Sequence, residues 1–210
     1  MAEKQKGRFI ALEGIDGSGK STQARLLTEA LEAEGIPCCV TMEPTASPFG
    51  KLLRQVLKGE LKTDARVVAP LFVADRLDHL VGETEGIAKK LEEGITVITD
   101  RYYFSSYAYQ SVDLPMDWVI TANEICAQIR RPDVTIFIDL DPEAAMERIL
   151  ENRDHVEIFE KRERLEKCRE NYFRAFELLK GKENVAVTDG NRGVEEIAAD
   201  IRRIVEALPA

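Results

Sequence analysis

The chain has 210 residues, 44% hydrophobic and 32% charged, with few prolines and no low-complexity tract, a composition that fits one globular domain with a sizeable core. Its formal net charge of -9 argues against a protein that coats nucleic acid or an anionic membrane, because both need a cationic surface. Basic residues gathered in one place would therefore mark a local anion site. The polar leader MAEKQKG, with no apolar run long enough for a signal or membrane span, leads to a cytoplasmic expectation.

In chain order, the apolar run RFIALE predicts a first strand, followed by a helix over 20–34 with Leu26, Leu27, Ala30 and Leu31 on one face and Gly35 as its stop. PCCVTM predicts a second strand, and helices follow near 49–58, 64–81 and 83–93. The third strand, ITVITD, leads into the aromatic segment RYYFSSYAYQ and a helix near 116–129, before Pro132 opens the fourth strand, VTIFIDL. A helix over 142–150 runs into the polar break ENRDH. The next helix, 157–179, is charged, with Glu160 and Arg164, and Glu163 and Lys167, as i, i+4 pairs on a solvated face. NVAVTD predicts a fifth strand and 194–208 a last helix. The alternation predicts an α/β fold: a five-stranded parallel sheet between two helical layers, in a single domain over 1–210. Cys38, Cys39, Cys126 and Cys168 lack metal or disulfide spacing and are read as reduced core thiols. His79 and His155 are read as surface or helix-end residues.

Gly14, Gly19, Lys20 and Ser21 satisfy G-x-x-x-x-G-K-[ST] between a predicted strand and a predicted helix, the context this pattern requires. The glycines let successive N–H groups and the helix N-terminus face one anion. Lys20 would bridge the β and γ phosphates of a nucleoside triphosphate and Ser21 would bind Mg2+. At the end of the third strand, Asp100 can orient hydrated magnesium and Arg101 can grip a phosphate; the same pair could be a structural ion pair. No N-K-x-D appears and no D-x-x-G follows the third strand, which argues against a GTPase-type switch. Phe72 and Arg76, four apart on a predicted helix, offer an aromatic plane beside a guanidinium, suited to a planar base or to ordinary core and surface roles.

From FIALEGIDGSGKSTQ through MEPT, LFVADR, ITDRYYFSSYAYQ and RPDVTIFIDLDPEAAMER to VTDG, the chain resembles the thymidylate kinase family of the nucleoside monophosphate kinase group. The resemblance implies a P-loop three-layer α/β/α fold with a short lid over about 148–157, and transfer of the γ-phosphate of ATP to dTMP in dTTP supply. It implies an ATP site built from Gly14, Ile15, Asp16, Gly17, Ser18, Gly19, Lys20, Ser21 and Thr22, with Arg148 packing against adenine. On the acceptor side, Phe72 resembles the residue that stacks on thymine, and Arg76 the one that reads the base edge or steadies the nucleotide. Arg54 and Arg101 resemble the arginines that hold the monophosphate, and Asp16 the carboxylate that meets the sugar and its 3'-hydroxyl. Tyr109 is similar to a ring that crowds the 2' position, Ser106 to a residue that contacts the base, and Glu43 to the acid of the Glu-Pro loop beside the sugar.

Two positions depart from the family's pattern. Some members carry a catalytic arginine in the phosphate loop where this chain has Gly17, so the lid residue Arg153 is expected to supply that cation. Met42 stands where members often have arginine before Glu-Pro. The catalytic set expected is Lys20, Asp16, Arg101 and Arg153, the metal set Ser21 and Asp100 for Mg2+, and the partners ATP, dTMP and a second copy in a homodimer. The alternatives are a kinase for another deoxynucleotide or deoxynucleoside, or a non-catalytic nucleotide-dependent regulatory protein.

Overall fold

Five short runs pair side by side into one all-parallel sheet. In the computed structural model, which describes residues 6–83, 85–150 and 158–209, they are β1 (Phe9–Glu13), β2 (Cys38–Met42), β3 (Thr96–Asp100), β4 (Val134–Asp139) and β5 (Val185–Asp189). Their order is β2-β3-β1-β4-β5. Parallel strands need crossover connections, and helices supply them. These are α1 (Lys20–Ala33), α2 (Pro48–Leu57), α3 (Ala65–Val81), α4 (Ile87–Glu92), α5 (Tyr103–Tyr109), α6 (Met116–Ile129), α7 (Pro142–Leu150), α8 (Ile158–Leu178) and α9 (Val194–Glu206).

Successive strand residues face opposite sides of a sheet, so β1 feeds two cores. Ile10 and Leu12, with Ile98, Ile136 and Ile138, pack under Ala24, Leu27 and Leu31 of α1 and Ile197, Ile201 and Val205 of α9. Phe9 and Ala11, with Val97 and Phe137, meet the thicker layer formed by Tyr103, Phe104 and Tyr107 of α5, Val119 of α6 and Tyr172 of α8. Cys38 packs toward the first core and Cys39 toward the second, and all four thiols are free. The expected three-layer α/β/α architecture is therefore the observed one. Among the described residues no helix is long and apolar enough to cross a membrane.

Three findings refine the expectations. The helix expected over 83–93 spans only Ile87–Glu92, because a tight turn precedes it: the Gly86 N–H donates to the Gly82 carbonyl at 2.9 Å, and a Cβ at Gly86 would lie 2.4 Å from that oxygen. The aromatic segment after β3 is helical, as α5; residues 103 through 108 are all buried, so it has no polar face to betray a helical period. His79 lies in the last turn of α3 but is buried, its ring captured by Thr41 and Glu43, and so it is not a surface residue. Glu163 and Lys167 pair at 2.8 Å as expected. His155, Arg153 and most of the lid expected over 148–157 lie outside the described residues.

Candidate active site

The register that aligns Leu12 with Asp100 sets the ends of β1 and β3 side by side, so the loop after β1 and the residues closing β3 share one mouth of the sheet. That mouth, at the carboxyl ends of parallel strands, is where open α/β sheets bind ligands. The glycine-rich loop spans it and enters α1 through Gly19, whose φ of 88° is left-handed. Ile15 and Ser18 are buried, Asp16, Ser21 and Thr22 exposed, and Gly14 closes the loop against Ile138 of β4. The Lys20 ammonium is drawn back into the loop, donating to Ile15 O at 2.9 Å and Ser18 Oγ at 3.3 Å. Burial first, and then the neighbouring Arg101, push its pKa down to about 8. A buried lysine in that condition is a strong site for an incoming anion. Beside it, Ser21 Oγ donates to Asp100 Oδ2 at 2.5 Å.

Arg101 turns the chain out of β3 with φ 76°, a left-handed conformation that L-residues adopt at a cost. The turn aims its guanidinium across the mouth. There it donates to Asp16 of the phosphate loop, to Ser105 Oγ at 2.9 Å and to Tyr109 Oη at 3.4 Å, and lies over the Tyr109 ring at 4.8 Å. Tyr109 Oη also accepts from the Asp16 N–H at 2.9 Å. Asp16, Arg101 and Tyr109, from three separate stretches, are thus one cluster. Beneath it sits Glu13, a wholly buried carboxylate that accepts from Tyr102 N at 2.8 Å, Ser105 N at 3.1 Å, Ser105 Oγ at 2.6 Å and Tyr172 Oη at 2.8 Å. Burial pushes its carboxyl above the usual range, and the Ser105 bond, Arg101 and the remaining donors oppose that shift.

A second cluster lies on α3. Arg76 is 1% exposed and pairs with Glu43, its Nε at 2.8 Å and its Nη2 at 2.6 Å from Oε2. Its Nη1 donates to Ser106 Oγ at 3.0 Å and to Asn123 Oδ1 of α6. Phe72, one turn earlier on α3, is half-buried. Asp75, next to Arg76, accepts from Thr45 N at 2.8 Å, Thr45 Oγ1 at 2.5 Å and Ser47 Oγ at 3.1 Å, which ties down the loop between β2 and α2. Arg54 of α2 donates to Pro44 O at 2.7 Å and to Thr45 O in that same loop, and makes no hydrogen bond to the Arg101 cluster. Arg148, in the last turn of α7, donates to Gly17 O and Gly190 O, both at 3.3 Å, and so borders the phosphate loop.

Residues 12–201 match the family model described as thymidylate kinase. The chain belongs to the thymidylate kinase family. It is 40% identical to the thymidylate kinase of Symbiobacterium thermophilum, over 95% of this chain and 93% of that one. It is 36% identical to the thymidylate kinase of Leptospira borgpetersenii, over 95% and 94% of the two chains. To a probable thymidylate kinase of Pyrococcus horikoshii the identity is 38%, over 96% and 97%.

Within this thymidylate kinase scaffold the two departures acquire physical reasons. Gly17 has φ 82° and a Cβ there would stand 2.9 Å from Ala145 O of α7, so the loop has no room for an arginine at that position. Met42 points outward, 54% exposed, and the Glu43 carboxylate is held by Arg76 and His79 instead. The sequence reading missed Glu13, Asp75, His79, Ser105, Asn123 and Tyr172. Glu13 alone carried a local signal, as the acid that closes an otherwise apolar strand. Gln110, which ends the aromatic motif, was also passed over; its Oε1 is buried with no hydrogen-bond partner among the described residues.

Proposed function

We propose that the clusters around Lys20 and Arg101 are the donor and acceptor phosphate sites of one reaction, transfer of the γ-phosphate of ATP to dTMP to give dTDP and ADP. The chain is a thymidylate kinase family enzyme, and this is the family's activity, a step in dTTP synthesis. The observation that carries the assignment is the bond between Arg101 and Asp16, which joins the phosphate loop to the residues closing β3. A phosphate bound at one is next to a phosphate bound at the other. Phosphoryl transfer asks for positioning and charge neutralisation more than covalent help, and the acceptor oxygen is already an anion, so no general base is required.

In this reading the loop from Gly14 to Thr22 cradles the ATP phosphates, Lys20 leaves the Ile15 carbonyl and the Ser18 hydroxyl to bridge β and γ, and Arg148 packs on adenine. Ser21 and Asp100 are hard oxygen donors already 2.5 Å apart, a pair suited to Mg2+ that also binds phosphates and water. When bound, Mg2+ would neutralise phosphate charge. Arg101 and Arg54 take the dTMP phosphate, Arg54 giving up loop carbonyls to do so. Phe72 stacks on thymine, Arg76 and Ser106 face the base edge, Glu43 and Asp16 serve the sugar side, and Tyr109 crowds the 2' position. Arg153 is the proposed late-arriving cation. The chain works as a single kinase domain in the cytoplasm, and pairs as a homodimer through α3 and α6, neighbours that carry exposed Val67 and Val81 on one and Trp118, Ile125 and Ile129 on the other.

ADP release with ATP and Mg2+ against dTMP, dUMP, UMP, dCMP, dGMP, AMP and thymidine tests the acceptor. Strong preference for dTMP is expected. A missing 5-methyl contact is worth only about 1–3 kcal/mol, so dUMP should be turned over more weakly but measurably. Preference for a purine or a ribonucleotide would overturn the roles given to Phe72 and Tyr109.

A further inference from the structure

We propose that His79 is a positioning residue for acceptor binding, acting through Glu43 to fix the plane of the Arg76 guanidinium. The inference rests on the placement of Glu43 and Arg76 at the acceptor site. Thr41 and Glu43 are two apart around the end of β2, which puts their side chains on the same side of the chain. Arg76 and His79 are three apart on α3 and so share a helix face. The imidazole bridges the first pair with its two nitrogens, Nε2 at 2.6 Å from Thr41 Oγ1 and Nδ1 at 3.1 Å from Glu43 Oε1. The Glu43 carboxylate beside Arg76 offers acceptors only, so the Nδ1 proton faces Glu43, while the Thr41 hydroxyl suits Nε2 in either role.

The consequence follows from counting the donors of Arg76. Of its five N–H groups, Nε donates to Glu43 and the two at Nη1 go to Ser106 and Asn123, while Nη2 lies 2.6 Å from the same Glu43 oxygen as an ion pair. Among the described residues Nη2 keeps a hydrogen beyond this contact, and its direction is set by the plane in which Glu43 holds the guanidinium. Both Arg76 nitrogens on that side converge on Glu43 Oε2, so this oxygen alone lets the carboxylate pivot. His79 on Oε1 stops the pivot. Glu43, Arg76 and His79 are all buried, which leaves little water to replace a lost bond. Met42, the residue between Thr41 and Glu43, is exposed and does not share the task.

The test is steady-state kinetics with both substrates on wild type and on His79→Ala, His79→Asn and His79→Gln, beside thermal unfolding. Loss of a buried bond to a charged group should raise KM for dTMP about tenfold in the alanine variant while KM for ATP stays within about twofold. Asparagine restores a donor where Nδ1 stood and should recover most of the loss; glutamine reaches toward Thr41 instead and should not. An unchanged KM for dTMP in His79→Ala, equal shifts for both substrates, or rescue by glutamine as good as by asparagine would overturn the proposal. If the alanine variant does not fold, the contrast between asparagine and glutamine decides. Wild type that fails to turn over dTMP would instead sink the acceptor reading itself, a separate result visible before any variant is made.

Discussion

Raising the pH above 8 should weaken the binding of a non-hydrolysable ATP analogue, because Lys20 must be charged to receive phosphate. In the free chain burial and Arg101 hold this lysine at about 8, against an ordinary 10.5. Phosphate at the loop replaces the lost solvation and restores the higher value, so binding takes up protons wherever the two states differ. At pH 8 about half the free chains carry the Lys20 proton and nearly all the bound ones do, an uptake of about half a proton; by pH 9 it approaches one, and affinity should fall about tenfold from its value at pH 7. The same shift gives the sign for the ligand-free fold. The unfolded chain binds more protons between about 8 and 10.5, so the Lys20 contribution to stability rises with pH across that window. Calorimetric titration in two buffers of different ionisation enthalpy measures the uptake, and Lys20→Met should abolish it. No uptake at pH 8 to 9, or the same uptake in Lys20→Met, would refute the reasoning.

Three further outcomes are expected. Arg101→Gly and Arg101→Ala should both lose roughly two or three orders of magnitude in turnover, as when a positioned charge-stabilising donor is removed. Because Arg101 has φ 76°, the glycine variant should unfold about 2–4 °C above the alanine variant, equivalent to about 1 kcal/mol of relieved backbone strain. Gly17→Arg, which imitates the loop arginine of other family members, should lower both the unfolding temperature and turnover, since φ 82° and the Ala145 carbonyl at 2.9 Å oppose any side chain; increased turnover would contradict this. The proposed pairing through α3 and α6 predicts a dimer for wild type and a monomer for Ile125→Glu, on the exposed apolar side of α6, in sedimentation equilibrium; a monomeric wild type would remove the pairing, and a dimeric variant would move the interface elsewhere.

The sheet was legible because buried parallel strands must be short β-rich apolar runs, and RFIALE, ITVITD and VTIFIDL have few other uses. The phosphate loop was legible because its backbone geometry dictates glycine at fixed spacing. What the sequence hid is contact between distant segments. Tyr172 reaches Glu13 across 159 positions, and nothing local to α8 distinguishes it from any other aromatic on a charged helix. His79 does lie at a helix end, but its burial was hidden, since periodicity gives the face of α3 and not what β2 presents to it. The α5 helix escaped notice because a segment buried on every side has no amphipathic period. Arg54 and Arg101, alike as sequence candidates, differ in the fold: one is spent on loop carbonyls, the other on Asp16.

The central claim is that the Lys20 and Arg101 sites serve one transfer. The measurement that tests it most directly is the fate of label from ATP carrying a radioactive γ-phosphate, incubated with dTMP and Mg2+ and resolved by nucleotide chromatography, for wild type and Arg101→Ala. The label should appear in the β-phosphate of dTDP with wild type and be nearly lost from it in the variant. Label released only as inorganic phosphate, or dTDP labelled equally by both proteins, would contradict it.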